Sequence, residues 1–239
     1  MGRGALSLPV AGTVCIADGA FRDAAEDICA FLQNYRVVTT PLRTNVVTAK
    51  LRDDRGRAGF IPAIADMKSA LPRTLQYLLS IVRRKDTGPK PDGYCLEIAP
   101  DGIVLQAESA KGAFWGAQTL RQIISQCGGK RLPALVIKDW PDFAARGLYY
   151  DVTRGRIPKT ERLLELAEKL SHYKINHLQF YIEHTFLFHG HPEIGKNASP
   201  LTSGDILDLD EFCRGRYIEL VPSLASFGHL SGVLSLPRY

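Results

Sequence analysis

Three short apolar segments in the second half of the chain each run into residues that can do chemistry. Gly147 to Val152 ends in Asp151-Val-Thr-Arg154, His177 to Ile182 in Glu183-His184-Thr185, and Tyr217 to Pro222 in Ser223-Leu-Ala-Ser-Phe-Gly-His229. Arginine offers a rigid fork of donors, carboxylates accept from hydroxyls, and histidine does either. Together they suit a polar, hydroxyl-rich ligand, for which a sugar is the natural candidate. Two plainer readings compete. Arg154 could serve only as a salt-bridge partner of Asp151, and His229 could be a glycine-turn histidine bonded to backbone. Glu183, His184, His189, His191 and Glu193 also fall within eleven positions and are metal-ligand types. The histidines lack helical i, i+4 spacing, and His189-Gly-His191-Pro sits in a long loop, so no metal is expected.

Positioning such residues requires strands that end side by side. A helical pattern from about Thr160 to Tyr173 separates the first two segments, with Leu163, Leu164, Ala167 and Leu170 inward and Glu161, Arg162, Glu165, Glu168 and Lys169 outward. A second helix opens at Thr202-Ser-Gly-Asp205, where Thr202 and Ser203 are both cap candidates, and runs to about Arg214. Strands spaced by helices make βαβ crossovers and a parallel sheet. Three such units are what the start of a (β/α)8 barrel looks like, and a full barrel takes about 250 residues.

The first half reads as a small mixed unit. Val14 to Ile16 and Val46 to Ala49 are strand candidates, and Phe21, Ala24, Ala25, Ile28 and Leu32 share one helical face. Residues 51 to 73 show no clear period. Leu75 to Val82 fits helix or strand. Tyr94 to Ile98 and Ile103 to Ala107 flank a Pro100-Asp-Gly102 turn as alternating strands. A helix from Gly112 to about Gln126 carries Phe114, Ala117, Leu120, Ile123 and Ile124 on one face, and a loop is expected from Lys130 to Trp140.

Composition narrows the class. The chain has 239 residues, 45% hydrophobic and 23% charged, with net charge +5, an ordinary globular balance. No apolar run approaches a membrane span and the first residues do not read as a signal peptide, so a soluble, cytoplasmic protein without membrane partners is expected. Five cysteines without CxxC spacing read as buried free thiols. Basic residues are scattered, Arg83-Arg84-Lys85 being the only tight cluster, which argues against a nucleic-acid partner.

Asp139-Trp-Pro-Asp-Phe-Ala-Ala-Arg-Gly-Leu-Tyr-Tyr-Asp-Val-Thr-Arg154 resembles the entry to the catalytic barrel of glycoside hydrolase family 20, the β-N-acetylhexosaminidases. Lys174-Ile-Asn176, Thr202 to Asp205, Ile218 to Pro222 and the Phe227-Gly-His229 turn continue the resemblance in order. Upstream, Gly93 to Ile98, Ile103 to Ala107 and Gly112 to Gln122 resemble the small α/β domain that precedes the barrel in that family. Over about residues 76 to 239, the resemblance implies a small α+β domain at 1–138 followed by the first three βα units of a (β/α)8 TIM barrel at 139–239, and a strand at Leu75 to Val82. It places Arg154 where the family binds the 3- and 4-hydroxyls of the terminal sugar. By the same resemblance Glu183, a carboxylate, is the second substrate-binding residue, with His229, Asp151 and His184 in support. His184 departs from the commoner family pattern, in which this strand ends in paired aspartates.

The implied activity is removal of terminal β-linked N-acetylhexosamine, without a cofactor. The substrate's own acetamido oxygen attacks the anomeric carbon, family 20 being one of the substrate-assisted exceptions to the two-carboxylate scheme. An adjacent Asp-Glu pair orients that group and supplies the proton. No such motif occurs before Tyr239. Asp210-Glu211 sits mid-helix, and the pair is expected beyond Tyr239, which would leave this chain inactive and prone to self-association. The alternatives are a carbohydrate-binding module without catalysis and a metal-binding protein.

Overall fold

The computed structural model describes residues 5–7, 12–16, 19–32, 35–39, 77–85, 87, 90–100, 102–128 and 131–239. The strand expected at Val46 to Ala49 and the unreadable stretch 51 to 73 lie outside them. The chain divides into two compact units, Met1–Pro141 and Asp142–Tyr239.

In the first unit, β1 (Ala5–Ser7) pairs antiparallel with β7 (Arg131–Pro133). The larger sheet contains β2 (Gly12–Ile16), β3 (Tyr35–Thr39), β4 (Tyr77–Arg83), β5 (Tyr94–Ala99), β6 (Gly102–Ala107) and β8 (Leu135–Asp139), in the order β3-β2-β4-β6-β5-β8. Among the described residues two helices accompany it, α1 (Arg22–Leu32) and α2 (Ala110–Gln126). Phe21, Ala24, Ala25 and Ile28 bury the expected face of α1, while Leu32 is only half-buried. Asp27 of α1 accepts from Arg121 Nη1 at 2.8 Å and Gln118 Nε2 at 2.9 Å, tying α1 to α2. The Arg83-Arg84-Lys85 cluster is exposed.

Two expectations change here. The loop from Lys130 to Trp140 contains β7 and β8, and β8 completes an edge of the sheet by pairing antiparallel with β5. Pro133, which has no N–H to donate, breaks the run between them and hides both strands from a periodicity reading. The strands β5 and β6 do not alternate: they are buried along almost their whole length. Central strands covered on both faces read as continuous apolar runs.

Close packing makes Gly112 irreplaceable. A Cβ there would lie 2.8 Å from the Gly93 carbonyl oxygen and 3.1 Å from the Asp92 carbonyl carbon. Alanine normally stabilises a helix interior by about 1 kcal/mol over glycine. We expect Gly112→Ala to do the reverse and lower the urea midpoint of the first unit, because rigid backbone sits in the way.

The second unit alternates strand and helix: β9 (Gly147–Asp151), α3 (Thr160–His172), β10 (His177–Tyr181), α4 (Ser203–Arg214), β11 (Glu219–Val221) and the short α5 (Ser231–Leu234). The three strands are parallel, in the order β11-β10-β9. Leu163, Ala167, Leu178, Phe180, Leu209, Cys213 and Ile218 form its core between helices and sheet, with Leu164 and Leu170 partly buried against it. Both helices end alike. Ile175 N–H reaches the Leu170 carbonyl and Ile218 N–H the Cys213 carbonyl, each at 2.9 Å, after a left-handed residue, Lys174 (φ 60) or Tyr217 (φ 56). That C-terminal lock starts β11 at Glu219, two residues later than the sequence suggests.

Thr202, and not Ser203, caps α4: its hydroxyl accepts from Asp205 N–H, and Asp205 accepts from Thr202 N–H at 2.8 Å. Thr160 donates to the same carboxylate at 2.5 Å, joining the starts of α3 and α4. The Thr160 and Thr202 hydrogen bonds hold the Asp205 carboxyl below its ordinary range. A depressed folded-state pKa contributes stability above the unfolded pKa of about 3.9 and loses it as pH falls through the folded value. Asp205→Ala should cost about 1–2 kcal/mol at pH 7. That penalty should shrink toward pH 3 when denaturant midpoints of variant and wild type are compared.

Candidate functional site

Register brings the expected residues together. Tyr181 stands opposite Asp151 in the β9–β10 ladder, so the two strands end level. A bridge between Ile182 and Leu224, with Ala225 N–H donating to Ile182 O at 2.9 Å, carries the segment after β11 to the same edge. Three strand ends thereby present Asp151, Arg154, Glu183 and His229 in one cluster.

Asp151 is both anchor and partner. Its Oδ1 accepts from Thr153 N at 2.8 Å and Arg154 N at 3.1 Å, shaping the turn after β9. Its Oδ2 takes Arg154 Nη1 at 2.7 Å, so the expected salt bridge exists. That bond, first among several, holds the Asp151 carboxyl below its ordinary range. Arg154 also reaches across the strand gap, with Nη2 at 3.3 Å from Glu183 Oε1. The Arg154 side chain is 58% exposed while it bridges the two strand ends. Glu183 is the most enclosed of the four, at 19%. His229 places Nδ1 3.7 Å from Glu183 Oε1. No hydrogen bond or ion pair among the described residues joins His184 to this group.

Sequence reasoning missed the residues between these. Tyr181 donates its hydroxyl to Glu183 Oε1 at 2.5 Å, and the Arg154 guanidinium lies 4.7 Å from its ring centre. Tyr149 and His229 both meet that ring edge-on at 6.0 Å. Thr153 accepts from Glu183 N at 3.1 Å and donates to Tyr181 O at 3.2 Å, fixing the backbone under the carboxylate. The available signal was alternation: Gln179, Tyr181 and Glu183 occupy every second position of β10 and its extension.

The five residues weighed as metal ligands do not converge. His191 stacks on Tyr239, and Glu193 pairs with Arg238 at 3.2 Å. Among the described residues no group of three or more His, Cys, Asp or Glu could hold a metal ion. Asp210 pairs with Arg214 on α4, so Asp210-Glu211 is a helix-surface pair away from the strand ends. No helix among the described residues is long and apolar enough to cross a membrane.

The model of glycosyl hydrolase family 20, domain 2, matches residues 7–140. The chain belongs to glycosyl hydrolase family 20. A β-hexosaminidase of Akkermansia muciniphila is 26% identical over 188 residues, covering 70% of this chain and 37% of that protein. A β-N-acetylhexosaminidase of Cellulomonas fimi is 34% identical over 108 residues, 43% of this chain and 22% of its own length. Among solved structures, the family 20 β-N-acetylhexosaminidase from Streptomyces coelicolor superposes with a TM-score of 0.72 at 17% identity, covering 98% of this chain and 46% of that one. A mutant Streptomyces plicatus β-hexosaminidase in complex with its product, GlcNAc, gives 0.71 at 19%, with coverages of 98% and 45%. At such identities the likeness speaks for the mixed α/β fold. The chain spans less than half the length of these family 20 proteins.

Proposed function

We propose that this chain is part of a retaining β-N-acetylhexosaminidase, with residues 1–138 as its small domain and 139–239 as the first three βα units of a (β/α)8 barrel. Arg154 and Glu183 bind hydroxyls of the terminal sugar; Asp151 fixes Arg154 and His229 steadies Glu183, with His184 as a further supporting residue. The observation that carries this reading is the meeting of Asp151, Arg154, Glu183 and His229 at the carboxyl ends of three parallel strands, where barrel enzymes build their sites. A metal-centred alternative has no such convergence in its favour.

The chemistry then requires the Asp-Glu pair on a strand beyond Tyr239. There the Asp orients the substrate's acetamido oxygen against the anomeric carbon, and the Glu protonates the leaving oxygen and later activates water. Sequencing past Tyr239 should find that pair at the end of the next strand. Its double alanine variant should abolish hydrolysis of a chromogenic N-acetyl-β-glucosaminide. The 239-residue chain alone should leave the glycoside intact and, with β11 paired only to β10 among the described residues, should self-associate in solution. Turnover by a monomer of 26.4 kDa would overturn the proposal.

A further inference from the structure

Tyr181, not singled out from the sequence, meets three of the four site residues, Arg154, Glu183 and His229. Its hydroxyl meets Glu183 Oε1 at 2.5 Å and lies 3.4 Å from Arg154 Nη2, while its ring lies 4.7 Å from the Arg154 guanidinium. Tyr149 from β9 and His229 from the segment after β11 close on the ring edge. Residues from β9, from the end of β10 and from the segment after β11 thus meet at one tyrosine side chain. We propose that Tyr181 is a positioning residue, setting the Glu183 carboxylate and the Arg154 guanidinium against one another so that both face the same ligand.

The physical logic is a division of labour between ring and hydroxyl. Arg154 is half-exposed on a turn, and a long cationic side chain there samples many rotamers unless something restrains it. The ring face supplies cation–π attraction, and Asp151 takes one side of the fork. Glu183 has its own choice of rotamers, and the phenol O–H fixes one of its oxygens toward Arg154 and His229. The charged and titratable groups around the phenol are Tyr149 and Asp151 on β9, Arg154 after it, Glu183 after β10 and His229 after β11. Of these, Glu183 raises the Tyr181 phenol pKa above its ordinary range and Arg154 pulls it back, so the hydroxyl stays a donor throughout the neutral range.

The functional side of this inference rests on the carbohydrate reading above, and the test separates the two. The phenol can be followed in the chain by NMR with tyrosine labelled at Cζ, the Tyr181 signal being assigned by its loss in Tyr181→Phe. In wild type it should titrate above the ordinary value of about 10. Glu183→Gln should move it down and Arg154→Met further up, responses that a merely packed tyrosine would not give. Tyr181→Phe should keep the melting temperature yet weaken binding of methyl N-acetyl-β-glucosaminide by about 10-fold. A titration that ignores both substitutions overturns the proposal, and so does equal sugar binding by Tyr181→Phe and wild type. If the phenol responds as expected and wild type binds no sugar, the positioning stands and the carbohydrate reading falls.

Discussion

Arg154→Ala in the complete enzyme should lose turnover by two orders of magnitude or more while the protein stays folded. Charge-assisted hydrogen bonds are each worth roughly 10- to 100-fold in binding when removed, and in the proposed site one guanidinium serves two sugar hydroxyls. The fold should survive because the side chain is 58% exposed and its ion pairs with Asp151 and Glu183 are open to solvent, where such pairs contribute little to stability. Arg154→Lys should not restore activity, since an ammonium cannot span Asp151, Glu183 and a ligand as a planar fork does. Comparing kcat/KM with the thermal midpoint decides the matter. Normal kinetics in a variant that melts early would make the salt bridge to Asp151 the whole purpose of Arg154.

Phe180→Ala should do the opposite, removing function by removing the fold. Phe180 is 2% exposed, tilted against Tyr150 at 6.4 Å, and belongs to the same buried cluster as Leu163, Leu178 and Ile218. Truncating a buried phenylalanine costs about 3–5 kcal/mol, against a typical total of about 5–15 kcal/mol. Hydrogen exchange should report loss of protection across β9, β10 and β11. The ligand site should disappear with it, because its residues have no common scaffold except those strand ends. Protection retained in that sheet would mean that the core closes around the cavity far better than its packing implies.

Much of this was legible in the order of residues. Leu163, Ala167 and Leu170 recur at helical spacing, the short run at Leu178 sits between two helical patterns, and the run at Ile218 follows the second. Burial of one face imposes those periods locally, so a parallel βαβ arrangement followed. Leu75 to Val82 was ambiguous by pattern and was read as a strand through family resemblance; the structure has a strand at Tyr77–Arg83. The helix expected from Phe21 to Leu32 followed from its apolar face, and the β5–β6 hairpin from the Pro100-Asp-Gly102 turn. Arg154 and Glu183 stood out because charged residues at strand ends are not explained by packing.

Other features had no local signature. Pro133 hid β7 and β8, whose existence depends on partners at Ala5–Ser7 and Tyr94–Ile98 that lie far away in sequence. Thr202 and Ser203 were equivalent as caps until the position of Asp205 chose between them. Tyr181 looked like one more aromatic on a strand. Its role arises because the β9–β10 register sets it opposite Asp151, and the Ile182–Leu224 bridge brings His229 to its edge. A sequence determines which face of each element is buried, since that is a matter of neighbours along the chain. Which side chains meet across elements is decided by register and loop closure, and those are properties of the folded chain alone.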